Sequence, residues 1–133
     1  MPISPLIDVQ TDVLGTTRVI AVGGEIDLAS VDAVRHAVDV ALSQCPETVV
    51  LDLSEILFCD SSGIHMVVAS HRRATEHGIR FVVVRPTGSA WRSFELCNID
   101  RQVTFISAGD GIGRAGHRHP GSPVAYPVLP DVA

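Results

Sequence analysis

Two short apolar runs separated by one amphipathic segment restrict the fold of this chain more than any other feature. The runs are residues 49–53 and 81–84, and valine is their commonest residue. Between them, from Ile64 to about His77, apolar residues recur with helical spacing, and Gly78 follows as a helix stop. Two strands joined through a helix are expected to lie parallel, with a right-handed crossover. The chain is therefore predicted to fold as an α/β protein.

The same patterns, followed along the whole chain, predict eight elements in the order β-β-α-β-α-β-α-β. Apolar and polar residues alternate over 7–13, and a turn at Gly15 leads to an apolar run at 18–22, which indicates an opening hairpin. The hairpin makes the predicted sheet mixed, with the helices packed on it. The first helix is expected to begin at Ser30, whose hydroxyl would cap it. The last two predicted elements are a helix at about 88–96 and a short edge strand near 103–105.

Charge and chain organisation limit the classes of partner. The formal net charge is −5, and the chain lacks the basic stripe with which proteins neutralise nucleic-acid phosphates. We therefore expect a protein partner with a basic surface and no nucleic acid. No apolar stretch approaches about 18 residues and no secretory signal is evident, so no membrane partner and a cytoplasmic location are expected.

Residues 1–106 are predicted to form one domain, and 107–133 a flexible tail rich in Gly and Pro.

The loop Asp60-Ser61-Ser62-Gly63 lies where the strand at 49–53 gives way to the following helix. A serine at such a junction is expected to be exposed, and the N–H groups at a helix start tolerate negative charge. This interpretation makes the loop a phosphoacceptor site, with Gly63 allowing a partner's backbone or a kinase's nucleotide to come close. The alternative is purely structural, because aspartate and serine are also the commonest N-cap residues.

The same stretch does not fit a catalytic motif. A nucleophile elbow needs G-x-S-x-G, and Cys59 and Asp60 stand where its first glycine and spacer belong. Cys59 precedes a helix start, which can activate a thiol. A cysteine phosphatase would need an arginine six positions later, where this chain has His65. The cysteines and histidines also lack metal-ligand spacing. We therefore predict no enzyme, no cofactor and no metal site.

A second polar segment, Gly24-Glu25-Ile26-Asp27, follows the second strand and precedes the first helix. Alone, it is either a turn with solvated carboxylates or an acidic docking edge. Together with Asp60-Ser61-Ser62-Gly63-Ile64, it resembles the STAS domain of bacterial anti-sigma factor antagonists. In that family, G-E-[LI]-D ends an early strand and D-S-[ST]-G-[LI] opens a helix. The resemblance extends over about residues 6–106 and implies a STAS-like single domain.

The resemblance implies regulation by partner switching. The unphosphorylated protein would bind an anti-sigma factor that is also a serine kinase, and this binding would free a sigma factor for transcription, as in a stress response. Phosphorylation of Ser61, or with less support Ser62, would end the binding, and a serine phosphatase would restore it. The positions implied in partner binding are Gly24, Glu25, Asp27, Asp60, Ser62, Gly63, Ile64 and His65.

Two departures keep a second interpretation open. Many members of the family carry glycine where this chain has His65, whose bulk bears on partner choice. The chain after Ser107 also lies outside the shared domain. The alternative function is a STAS scaffold or sensor subunit of a larger signalling assembly, without a phosphorylation switch.

Overall fold

The computed structural model describes residues 7–108, which form a single α/β unit. The elements follow the predicted order, with a short 3-10 helix before the last strand. Their bounds are β1 Ile7–Leu14, β2 Thr17–Ile26, α1 Val31–Ser43, β3 Thr48–Cys59, α2 Ser61–Glu76, β4 Arg80–Val84, α3 Gly88–Leu96, the 3-10 helix Ile99–Arg101 and β5 Thr104–Ile106. The predicted fold class is confirmed. From residue 109 onward, the predicted flexible tail lies outside the described residues.

The five strands form one mixed sheet in the order β1-β2-β3-β4-β5. The hairpin of β1 and β2 is antiparallel, and the three other neighbouring pairs are parallel. β5 lies at an edge, as the sequence predicted. In this arrangement the carboxyl ends of β2 and β3 lie side by side, because Ile26 pairs with Cys59. The two polar segments picked out in the sequence therefore meet at one end of the sheet.

All three helices pack against the same face of the sheet. Their buried residues join one core cluster with alternate strand residues such as Ile20, Leu51 and Val83. The opposite face carries a smaller cluster of Val19, Val50 and Val84. No helix among residues 7–108 is both long enough and apolar enough to cross a membrane.

The strands β2 and β3 are longer than the sequence predicted. β2 does not end at Gly23-Gly24 but continues to Ile26, and β3 continues six residues past Leu53 to Cys59. Two register shifts make this extension possible, one between Ala21 and Gly23 and the other between Gly24 and Glu25. Each shift places an additional residue in β3 and interrupts the alternation of buried and exposed side chains. A prediction from periodicity alone therefore places the ends of both strands too early in the sequence.

Helix α2 also begins earlier than predicted, at Ser61 rather than near Ile64. The reason is the cap: Asp60 has extended backbone angles, and its carboxylate accepts the N–H groups of Ser62 and Gly63. Both serines of the loop therefore belong to the first turn of the helix.

Candidate functional site

A backbone hydrogen bond joins the two polar segments. The N–H of Asp60 donates to the carbonyl oxygen of Ile26 at 3.1 Å. One residue earlier, Cys59 is the register partner of Ile26. The loop after β2 and the start of α2 thus form one continuous surface at the carboxyl ends of the strands. In open α/β sheets this end is where binding sites generally lie.

Asp60 organises the start of α2. Its Oδ1 accepts the N–H of Ser62 at 2.9 Å, the N–H of Gly63 at 3.4 Å and the hydroxyl of Ser62 at 2.5 Å. The hydrogen bond from the Ser62 hydroxyl, followed by the backbone N–H groups of Ser62, Gly63 and Leu28, holds the pKa of the Asp60 carboxyl below its ordinary value. The contribution of Leu28 shows that this carboxylate also faces the loop after β2.

The two serines of the loop have different surroundings. Ser61 is exposed, and within residues 7–108 its hydroxyl has no hydrogen-bond partner. Ser62 is half-buried, and its hydroxyl donates to Asp60. His65 is exposed one turn after Ser61, so the two side chains lie on the same face of α2. Of the two hydroxyls in this loop, that of Ser61 is the one exposed to solvent.

Gly63 faces the interior of the protein. The reason why glycine occupies this position therefore differs from the one that the sequence suggested. A Cβ at this position would lie 2.4 Å from Sγ of Cys59 and 2.8 Å from Cγ2 of Ile26. Glycine is therefore needed here because α2 packs tightly against the ends of β2 and β3, not because a partner's backbone approaches it. Ile64 is also buried, at 5% exposure. Gly63 and Ile64 were both expected to contact a partner, but both are buried beneath the surface.

Cys59 is a packed thiol at the end of β3. It is 2% exposed, and burial, together with the neighbouring Asp60 carboxylate, raises its pKa to about 12. A thiol with this pKa holds almost no thiolate at neutral pH, and the thiolate is the nucleophile. The geometry therefore opposes the use of Cys59 in phosphoryl transfer.

The segment 24–27 forms the end of β2 and the turn into α1. Gly24 has a φ of 99°, which favours glycine, and Glu25 is half-buried opposite Phe58. Oδ1 of Asp27 accepts the N–H of Ala29 at 3.0 Å and the N–H of Ser30 at 3.1 Å. This carboxylate is thus held in the turn rather than freely solvated.

The prediction that the Ser30 hydroxyl caps α1 is wrong. Ser30 is 3% exposed, and its hydroxyl makes no cap hydrogen bond. It donates to the carbonyl oxygen of Glu25 at 2.8 Å and accepts the N–H of Asp27 at 3.0 Å. The side chain turns back to the end of β2 because Glu25 and Asp27 bind its hydroxyl there.

Three apolar side chains beside the site escaped the sequence prediction. Leu28, Leu57 and Phe58 are 79%, 74% and 46% exposed. The signal in the sequence is the run Ile56-Leu57-Phe58-Cys59, in which four apolar residues follow one another where a strand with one solvent-facing side would alternate.

Comparison with protein families identifies the fold. The model of the STAS domain family matches residues 8–110. This chain belongs to the STAS domain family. Among curated proteins, it is 28% identical over 89 residues to the anti-sigma-F factor antagonist RsfB of Mycobacterium tuberculosis. The match covers 67% of this chain and 72% of that protein.

Solved structures agree with this assignment. An anti-sigma factor antagonist from Mycobacterium paratuberculosis is similar with a TM-score of 0.72 and 26% identity, covering 80% of this chain and 92% of that one. SpoIIAA in its unphosphorylated form gives a TM-score of 0.64 at 22% identity, over 75% and 89% of the two chains. Bacillus SpoIIAA in its phosphorylated form gives 0.59 at 22% identity, over 75% and 92%. The resemblance to anti-sigma factor antagonists that the two motifs indicated is confirmed.

Proposed function

We propose that this protein is an anti-sigma factor antagonist that is switched by phosphorylation of Ser61. Its unphosphorylated form binds an anti-sigma factor that is also a serine kinase, and the sigma factor is thereby released. Phosphorylation of Ser61 ends the binding, and a serine phosphatase restores it. Because its partners control transcription, the protein acts in the cytoplasm.

The observation that carries the proposal is the exposed hydroxyl of Ser61 in the first turn of α2, which has no hydrogen-bond partner among residues 7–108. A phosphoryl group there lies near backbone N–H groups at the positive end of the helix dipole, so it need not disturb the fold. Ser62 is a weaker candidate, because its hydroxyl is bound to Asp60. Relatives in name and structure support the assignment, since RsfB is named an anti-sigma-F factor antagonist and SpoIIAA exists in both phosphorylation states.

The charge around Ser61 explains how one modification ends binding. The chain contains no lysine, and no arginine occurs in residues 19–34 or 36–71, which supply both polar segments. A phosphoryl group adds about −1.5 to −2 charges, and it does so next to Asp60 in a stretch of sequence without arginine or lysine. The modified face therefore carries additional negative charge. Removing water from this charge when the interface forms costs free energy, which the neutral hydroxyl did not cost.

The partner-binding residues follow from the same surface. Glu25, Asp27, Asp60 and His65 lie along it, and Ser62 fixes Asp60. Gly24, Gly63 and Ile64 act by shaping the backbone beneath. We assign a regulatory rather than a catalytic role, since Cys59, the nucleophile candidate beside the serine loop, is buried and protonated.

Phosphorylation in vitro tests the proposal. The purified chain is mixed with ATP and each serine-kinase anti-sigma factor encoded in the same genome, and its intact mass is measured. We expect the wild-type chain and Ser62→Ala to gain one phosphoryl group, and Ser61→Ala to gain none while still binding the kinase. Ser61→Asp should bind more weakly than the wild-type chain, by about tenfold or more, because it places an unpaired charge in the interface.

The opposite results have clear meanings. If Ser61→Asp binds as tightly as the wild-type chain, phosphorylation of Ser61 is not the switch. If no kinase phosphorylates the wild-type chain, the alternative of a scaffold or sensor subunit without a phosphorylation switch is favoured.

A further inference from the structure

Exposed apolar side chains are concentrated beside the serine loop. Six large hydrophobic residues are exposed within residues 7–108, and three of them flank the site. We call Leu28, Leu57 and Phe58 the apolar rim. Leu28 lies two residues after Ile26, whose carbonyl oxygen accepts the N–H of Asp60. The backbone N–H of Leu28 is also one of the groups that lower the pKa of the Asp60 carboxyl. Leu57 and Phe58 immediately precede Cys59 on the neighbouring strand. Both sides of the rim thus adjoin Ser61.

A bulge in β3 produces half of the rim. Gly24 pairs with Ile56 and Glu25 with Phe58, so Leu57 is an additional residue without a register partner in β2. In a regular strand, Phe58 would share the buried side with Ile56, and Cys59 would be exposed with Leu57. The bulge exchanges the buried and exposed positions after Leu57: Cys59 is 2% exposed, whereas Phe58 is 46% and Leu57 74% exposed. Bulges commonly redirect side chains next to functional sites.

The charge around the apolar rim restricts its occupant. Glu25, Asp27 and Asp60 lie between or beside the rim residues, and the two stretches that build the surface contain no arginine or lysine. A second copy of this chain would bring the same carboxylates against these, so self-association through the rim is disfavoured. A partner with an apolar groove bordered by arginine or lysine complements both features. In most interfaces a few residues that fill pockets of the partner carry most of the binding energy.

We propose that the apolar rim is the anchor by which the anti-sigma factor holds this protein, through an apolar groove bordered by basic side chains. This inference rests on the proposed function, in which Ser61 is the switch of the same interface. The rim supplies the affinity of the unphosphorylated state. The phosphoryl group on Ser61 then adds bulk and a strongly hydrated charge at the margin of the apolar contact, which prevents the groove from closing over the rim.

The test measures binding of single variants to the anti-sigma factor that the wild-type chain binds, taken from the serine-kinase anti-sigma factors of the same genome. Leu57→Ser and Leu28→Ser are expected to raise Kd by about tenfold or more, the usual loss for an anchor residue. The matched control is Leu96→Ser, because Leu96 is 77% exposed but ends α3, outside the two segments of the site. It should leave Kd unchanged, and thermal unfolding of all variants should match the wild-type chain.

Phosphorylation kinetics separate anchoring from chemistry. With the same kinase, Leu57→Ser should raise KM for the protein substrate and leave kcat near the wild-type value, because Ser61 itself is untouched. Raising the salt concentration should weaken binding of the wild-type chain.

Each other outcome overturns a specific statement. If the wild-type chain binds none of the kinases, the proposed function fails, and the proposed occupant of the rim fails with it. If the wild-type chain binds and is phosphorylated but Leu57→Ser and Leu28→Ser bind equally well, the rim proposal alone fails. If these variants change only the oligomeric state of the chain, the rim is a contact between copies and the proposal is wrong.

Discussion

The starts of α1 and α2 lie side by side at the functional end of the sheet, and their backbones follow the same hydrogen-bond pattern. In each, an aspartate carboxylate accepts the N–H groups two and three residues later: Asp27 from Ala29 and Ser30, and Asp60 from Ser62 and Gly63. The carbonyl oxygens of the two aspartates also accept N–H groups three and four residues later. The segment 27–30 is thus the structural counterpart of 60–63.

Side chains at equivalent positions of these two turns differ in chemistry. The first position after the aspartate is exposed in both turns, and it is Leu28 in one and Ser61 in the other. The last position is buried in both, and it is Ser30 in one and Gly63 in the other. One geometry thus exposes an apolar side chain in the first turn and a hydroxyl in the second. The backbone positions these side chains, and the residue type decides which of them we propose as anchor and which as switch.

The largest expected effect concerns the buried last position. Gly63→Ala should lower the free energy of unfolding by about 3 kcal/mol, the upper end of the usual cost of overpacking, because the new Cβ would overlap Cys59 and Ile26. Urea unfolding measures it. The control is Gly23→Ala, whose Cβ would meet only Glu55 at 3.6 Å, an ordinary contact. Equal stability of the two variants would show that the start of α2 is not packed as described.

Part of this loss should be recoverable. In a Cys59→Ala background, the contact with Sγ is absent, so Gly63→Ala should cost less than it does in the wild-type chain. A double-mutant cycle measures the coupling between the two positions. Additive costs would contradict the contact between them.

A smaller effect distinguishes the two serines that the turns place inside and outside. Ser30→Ala should cost about 1 to 2 kcal/mol, because it leaves the buried carbonyl of Glu25 and N–H of Asp27 without their partner. Ser61→Ala should change stability by less than about 0.5 kcal/mol, as is usual for an exposed side chain without contacts. Thermal or urea unfolding of the two variants gives the comparison. A large loss for Ser61→Ala would mean that its hydroxyl has a structural role.

The smallest effect is a dependence on pH from the cap of α2. The folded-state pKa of Asp60 lies below its unfolded value, so the unfolded chain binds the proton more readily. The carboxylate therefore stabilises the fold fully above the unfolded pKa of about 3.9, and this contribution is lost as the pH falls through the folded pKa. Asp60→Asn keeps a capping oxygen but should flatten this part of the acid-unfolding profile. An unchanged profile for Asp60→Asn would contradict the pKa shift.

Sequence patterns predicted the fold class and the order of the elements, and they picked out two segments that the structure brings together at one end of the sheet. They succeeded because strand and helix periodicity and the spacing of two short motifs are local properties of the chain. They failed where a contact between distant residues decided the outcome. The bulges that extend β3 to Cys59 exist only in pairing with β2, and Ser30 turns away from α1 because Glu25 and Asp27 bind its hydroxyl. The inward position of Gly63 in α2 likewise depends on its contact with Ile26, which lies on strand β2.

By itself, the sequence determined that an aspartate and a serine begin a helix after a buried strand, since capping and periodicity need only neighbouring residues. Only the tertiary structure decided which serine is exposed, which glycine is packed, and that the turn after β2 lies beside the start of α2. These facts depend on β2 and β3 ending at the same edge of the sheet. Pairing between strands distant in sequence sets that arrangement, and no local pattern encodes it.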